Sequence, residues 1–292
     1  MKTKLIYFLL LCVAFAGCER PVLEGEMPDP EPQEGLFAIT LSVSRLEQFP
    51  FEPLMATPRS KSVSEICSRL QFAVFKGDTK VTSVNQTSND KDFGKISVSL
   101  PAGTYRFVVL AHSGSGNATL TDLQKIKFAN NKVTDTFYCL EEIVVDNSAS
   151  YELELRRCVA QVKVVIEDPI PDEVKTMRFY YIGGSSTFDA VNGVGSVDSR
   201  QTEERMVTPE QHAGHAEFGI FTFPHAADGL LKLTVTALNA SGQPIKDLPI
   251  DNIPIRKNRI TQYTGRFFGG ATNANAFSFV VNDEWEQIFR TY

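Results

Sequence analysis

An imidazole and a hydroxyl stand side by side at His112-Ser113, and nucleophilic catalysis needs such a base within hydrogen-bond reach of its nucleophile. Neither Ser113, Ser115 nor Ser185 lies in a G-x-S-x-G pattern, and no strand-to-helix elbow is expected around them, so a polar turn after a strand is the better reading. His212 and His215 are three apart, a spacing that suits a metal only on a helix with further ligands nearby. QHAGHAEF carries a Gly in its middle and no helical pattern around it, which points to a solvated loop. Asn89, Asp90 and Asp92 before Gly94 offer the oxygens of a calcium loop, but the Gly is displaced and no closing Glu follows. A turn between strands is expected there. Gly183-Gly184-Ser185-Ser186 and Gly193-Val194-Gly195 precede no helix, so they lack the amides that cradle phosphate. No catalytic residue, metal ligand or cofactor is assigned, and the chain is not read as an enzyme.

Cys18 is the residue with a chemical assignment. Met1 to Lys4 holds two lysines, and the apolar run Leu5 to Ala16 ends in Ala16-Gly17. That run is too short to span ~30 Å of hydrocarbon as a helix, and with small residues at the cut it reads as a secretory signal over residues 1–17. Phe15-Ala16-Gly17-Cys18 resembles the lipobox of bacterial lipoproteins, with Phe where Leu is usual. The resemblance implies cleavage before Cys18, a diacylglycerol on its thiol, and the outer-membrane lipid as a partner. Each buried CH₂ would contribute about 0.8 kcal/mol of anchoring.

Loss of residues 1–17 removes Lys2 and Lys4 and deepens the formal charge from -6 to -8. An acidic chain is a poor match for a phosphate backbone, so nucleic acid is not an expected partner. Cys12 is also lost, leaving Cys67, Cys139 and Cys158 as usable thiols and room for at most one disulfide, whose pairing the sequence leaves open. Cys158 alternates with Ala160, Val162 and Val164 and is expected to be a buried free thiol. Asn85, Asn117 and Asn239 head N-x-Ser/Thr triplets and mark surface turns.

These residues need elements to hold them. At 42% hydrophobic, the chain can bury enough surface to offset its ordering entropy. Residues 18–35 are the exception: a Pro-rich acidic stretch that reads as a solvated tether. Beyond it, runs of Val, Ile, Phe, Tyr and Thr alternate with period two between Gly, Asn, Asp and Pro, predicting an all-β chain. Phe37, Ile39, Leu41 and Val43 share one face of a first strand, and Phe277, Phe279 and Val281 one face of a last. Only Thr121 to Phe128 looks helical, with Leu123 and Ile126 three apart.

The alternation slips phase in YELELRRCVAQVKVVIED. Tyr151, Leu153 and Leu155 are odd-numbered, whereas Cys158, Ala160, Val162, Val164 and Ile166 are even. With a side-chain period of two, a single strand cannot keep both sets in one core without a bulge or a break. The simplest resolution is a joint at Arg156-Arg157 between an N-terminal sandwich, 36–156, and a C-terminal one, 157–292.

LELRRCVAQVKVVI resembles the domain-junction strand of the fimbrillins, the fimbrial subunits of Bacteroidales. LPAGTYRFVVLAHSG at 100–114, IPIRKNRITQYTGRFFGG at 253–270 and VNDEW at 281–285 are similar to further strands of that family, whereas 183–211 carries none of it. The resemblance implies two tandem transthyretin-like β-sandwiches of Greek-key type, and a role in building or anchoring adhesive pili from like or unlike subunits. It also implies delivery to the cell surface as an outer-membrane lipoprotein. A trypsin-like cut in the loop after the first strand then opens a groove that an extended segment of the next subunit fills.

Here the cut would fall in 45–62, and Arg59 in Pro58-Arg59-Ser60-Lys61 is the expected scissile residue. Phe37, Ile39, Leu41 and Val43 would leave the groove, and Phe277, Phe279 and Val281 are the candidate donor. Anchors and some accessory subunits of the family keep the first strand. A surface lipoprotein that captures glycans or other ligands is the competing reading, with Tyr180, Tyr181 and Phe188 as its possible aromatic platform. The host or bacterial surface ligand of an adhesin is not specified by any motif.

Overall fold

Strand-forming runs dominate, and the computed structural model, which describes residues 35–46 and 62–269, is built almost entirely from them. In chain order the first half holds β1 (Phe37–Leu46), α1 (Val63–Ile66), β2 (Arg69–Lys76), β3 (Thr79–Thr87), β4 (Lys95–Leu100), β5 (Gly103–His112), β6 (Ile126–Lys127), β7 (Thr136–Val145) and β8 (Ala149–Arg157). The second half holds β9 (Ala160–Ile166), β10 (Thr176–Ile182), β11 (Thr187–Asp189), β12 (Val194–Gly195), β13 (Arg200–Met206), α2 (Pro209–His212), β14 (Ala216–Thr222), β15 (Asp228–Leu238), β16 (Pro244–Arg256) and β17 (Ile260–Gly265).

One sheet runs β3-β2-β5-β7-β8-β1-β4. β7 and β8 pair only at Phe137↔Arg157 and Tyr138↔Arg156, so the sheet folds over at this seam. Ile39, Leu41, Phe72, Val109, Phe137 and Leu155 from the two arms then meet in a single apolar cluster, as in a sandwich. In the second half, β13-β10-β15-β16 faces β14-β9-β17 across a separate cluster that includes Val162, Val164, Phe179, Phe218, Val235 and Ile253.

The phase slip is a break. β8 ends at Arg157, β9 begins at Ala160, and the two strands belong to different sheets. Leu153 and Leu155 lie in the first cluster; Ala160, Val162 and Val164 lie in the second. Arg157 keeps the inward phase of β8 and is itself buried. Its guanidinium donates to both oxygens of Asp135 at 2.7 and 2.9 Å and to Asn258 Oδ1 at 3.1 Å, and lies 4.7 Å from the Phe137 ring centre.

A third cluster joins the halves. β2 and β5 are apolar on both faces: Phe72, Val74, Phe107 and Val109 turn to the first core, Phe75, Val108 and Leu110 to the other side. There they meet Ile126, Phe128, Phe188 and Phe223. β6 pairs with β11 through Thr187↔Lys127 and Phe188↔Ile126, so a loop of the first half and an excursion of the second share one small sheet. From Leu36 on, the chain is one compact unit.

The helix expected at Thr121–Phe128 is not formed. Ile126 and Lys127 are strand, and Leu123 O accepts from Ala190 N at 2.7 Å, because pairing with the second half satisfies this backbone better than an isolated helical turn would. Of the strands that the alternation does not predict, β3, β13 and β16 are sheet edges, while β11 and β12 are three and two residues long, too short to print a period of two. Edges tolerate polar residues, charge and proline, as in RQTEERM of β13 and at Pro244, Pro249 and Pro254 of β16.

Candidate functional site

β1 carries the residues expected to act in assembly. Ile39 and Leu41 are fully buried, Leu46 nearly so, and Phe37 and Val43 pack half-buried against the same core. Three such side chains contribute roughly 5–9 kcal/mol gross by removal from water. The strand is not an edge. It pairs antiparallel with β4 from Phe37↔Leu100 to Ser42↔Lys95, and parallel with β8 from Ile39↔Ala149 to Leu46↔Leu155.

A register shift between Val43 and Arg45 bends its far end, where Val43 N donates to Gly94 O at 2.8 Å. Ala38 N donates to Ser148 Oγ at 2.9 Å. Removing this strand would open a slot lined on both sides by unpaired backbone, rather than the one-sided edge that a missing outer strand leaves.

Arg59 lies between the ends of β1 and α1 but outside the described residues, as do Cys18, Phe277, Phe279 and Val281. At the start of α1, Ser62 N donates to Glu65 Oε2 at 2.6 Å in the helix's capping box.

The residues that could do chemistry are occupied structurally. His112 ends β5 and is fully buried. Its Nδ1 accepts from Gly114 N at 3.0 Å and its Nε2 faces Gln71 Oε1 at 3.3 Å, which fixes a neutral ring. Burial first, then the Arg69 charge, lowers its pKa from 6.5 to about 4. Ser113 Oγ donates to Ile66 O and is not paired with the imidazole.

His212 lies on α2, a short helix where a solvated loop was expected; the Thr208-Gln211 capping box and Pro209 start it. Its Nδ1 lies 2.9 Å from Ile170 O. His215 stands in the left-handed region, 3.4 Å from Glu217. Asn89 to Gly94 forms a turn in which Asp90 accepts from Thr87 N at 2.7 Å and Gln86 binds Asp92 O, Lys95 O and Gly94 N. Among the described residues no group of three His, Cys, Asp or Glu side chains could hold a metal.

Cys67, Cys139 and Cys158 are free and buried. Burial, reinforced by Asp135, lifts Cys67 to about 12; burial, reinforced by Glu141, does the same for Cys139. Cys158, as expected, is a fully buried free thiol, held far above the usual range chiefly by burial. Such thiols are inert.

The aromatic platform does not form. Tyr181 and Phe188 are buried, Tyr181 donating to Glu203 Oε1 at 2.7 Å, and only Tyr180 is exposed. The glycine pairs serve close packing: a Cβ on Gly184 would sit 2.1 Å from Thr222 Oγ1, and one on Gly195 2.6 Å from Phe223 O.

Residues 55–290 match the family model described as fimbrillin-A associated anchor proteins Mfa1 and Mfa2. The chain belongs to this fimbrial anchor family. The match starts beyond β1 and spans the body of both halves.

Among solved structures, a proposed adhesin of Bacteroides ovatus is similar at TM-score 0.50 and 12% identity, covering 74% of this chain and 82% of that one. A proposed polysaccharide-binding protein of Bacteroides thetaiotaomicron gives 0.49 and 11%, over 79% and 92%. The fimbrial anchor protein Mfa2 of Porphyromonas gingivalis gives 0.40 and 12%, over 80% and 92%. At such identities the likeness concerns the fold alone. No curated protein matches the chain. The family is one of fimbrial proteins rather than enzymes, and no helix among the described residues is long and apolar enough to cross a membrane.

Proposed function

We propose that this member of the fimbrial anchor family is delivered to the outer surface as a lipoprotein through Cys18 and enters a fimbria by strand exchange at the β1 slot. A cut after Arg59 would release β1 together with the tether, and a neighbouring subunit would supply the replacing strand. Phe277, Phe279 and Val281 are the candidates for the strand this chain donates in turn. Two tandem transthyretin-like sandwiches, meeting at Arg157, would then be the repeating body.

The observation that carries the reading is the seating of β1. It is bonded to β4 and β8 along its length and plugs the first core with Ile39 and Leu41, so whatever replaces it gains two backbone ladders and two deep pockets. Amino-terminal sequencing of the chain shed from cells tests it. A start at Ser60 is expected. A start at Cys18, with the lipid still attached, would sink the Arg59 assignment and leave β1 as a fixed strand of a lipid-held anchor.

A further inference from the structure

β7 and β8 form a hairpin that is closed at both ends and open in the middle. They are joined through residues 146–148 and pair at Phe137↔Arg157 and Tyr138↔Arg156, with no ladder between. Carried on in that register, Cys139 would meet Leu155, Glu142 would meet Glu152, and Val145 would meet Ala149. The intervening backbone instead parts around a cleft of about 670 Å³ lined by Glu141, Glu142, Glu152, Glu154, Arg156 and Tyr151, among others. The far edge of β7 is taken by β5 over the whole strand, and that of β8 by β1 over Ala149–Leu155.

Two facing strand edges are thus left free over about six residues, roughly 20 Å at ~3.3 Å per residue. Glu141 shares the inward parity of Cys139 and Ile143 and yet is exposed, which shows that the sandwich is uncovered here. Like charges directly opposite in an antiparallel pair oppose closure, and Glu142 against Glu152 is such a pair.

We propose that this cleft is a docking site for an extended peptide strand of another protein carrying Lys or Arg at alternate positions. The free amides and carbonyls supply the main-chain partners of strand addition. Four carboxylates against the single guanidinium of Arg156 select a cationic occupant. The site is separate from the β1 slot, since β1 lies on the opposite side of β8.

The test uses the full mature chain in detergent with three peptides, (Val-Lys)₄, (Val-Glu)₄ and (Pro-Lys)₄, read by fluorescence anisotropy and by amide hydrogen exchange. The (Val-Lys)₄ peptide should bind and protect amides within 139–144 and 150–155. Its acidic twin, and the proline peptide that keeps the charge but cannot donate main-chain bonds, should each bind about tenfold or more weakly. The double variant Glu142→Lys, Glu152→Lys should lose affinity for (Val-Lys)₄ to a similar degree, its fold checked by circular dichroism.

Equal binding of (Val-Lys)₄ and (Pro-Lys)₄ would overturn strand pairing in favour of charge alone. Absence of peptide binding would mean that the glutamates merely guard open edges. Protection of the same amides by a neutral oligosaccharide, with none by the peptide, would make the cleft a glycan site and overturn the proposal.

Discussion

Arg157 and His112 show how polar side chains are used as structural parts. Arg157 binds Asp135 through two parallel hydrogen bonds, reaches Asn258 in the second half and covers the Phe137 ring. Arg157→Ala should cost about 2–4 kcal/mol, because the bidentate partner is stranded in a largely dry site; it is read from urea unfolding at neutral pH. Arg157→Lys keeps the charge but not the fork, and should recover less than half of the loss.

For His112 the effect is one of pH. The folded ring titrates near 4 and the unfolded one near 6.5, so below pH 6.5 the unfolded chain takes up a proton that the folded one refuses. Stability should therefore be complete above pH 7 and fall by about 2 kcal/mol between pH 7 and pH 5, levelling off below pH 4 as far as this group is concerned. Protonation also removes the acceptor that Nδ1 presents to Gly114 N. His112→Gln should flatten that part of the profile, and an unchanged slope between pH 7 and pH 5 would refute the assignment. In the sequence this residue read as part of a polar turn; that it closes a doubly buried strand was not visible from its neighbour Ser113.

At the scale of elements, legibility followed burial. β1, β4, β9 and β15 were readable because one face is apolar and the other wet, which prints a period of two. The break after Arg157 was readable for the same reason, since a change of sheet changes phase. β3, β13 and β16 were not, because polar residues, charge or proline interrupt the pattern along these edges, whereas β4, also an edge, keeps Ile96, Val98 and Leu100 in alternation. RFVVLAH in β5 carries a different signal: five successive apolar residues, Phe107 to Ala111, mark a strand covered on both faces. Cys18, Arg59, Phe277, Phe279 and Val281, on which the proposed lipidation, cleavage and strand donation rest, fall outside the described residues.

β1 itself gives a prediction at this scale. After a cut at Arg59 it should remain bound through its ladders and buried side chains until another strand displaces it. Ile39→Ala with Leu41→Ala removes two fully buried side chains, each worth about 2–5 kcal/mol. Release of the fragment that ends at Arg59, followed by gel filtration of trypsin-cut protein, should become markedly faster in the double variant. An unchanged release rate would mean that the backbone pairing alone holds the strand.

For the whole molecule, the question is whether the two halves stand or fall together. Each has its own core, yet the third cluster is built from both, with Phe128, Phe188 and Phe223 stacked at centroid distances of 5.2 and 5.0 Å and Tyr138 at 4.7 Å from Phe188. β6 and β11 add backbone pairing across the same seam, and Gly184 and Gly195 let Thr222 and Phe223 approach closely. A seam this apolar is expected to couple the halves, so that calorimetric unfolding of the native chain gives one transition.

Phe223→Ala opens a cavity within the seam and should cost about 3–5 kcal/mol. Because the loss falls between the cores rather than within either, it should also split the transition into two, with the less stable half melting first. Phe218→Ala supplies the contrast: Phe218 packs against Phe179 inside the second core, 5.4 Å between ring centres, and its loss should lower the melting temperature by a comparable amount without separating the halves. If both variants melt in one step, the covalent joint and Arg157 suffice to couple the halves, and the aromatic seam serves only to cover the outer faces of β2 and β5.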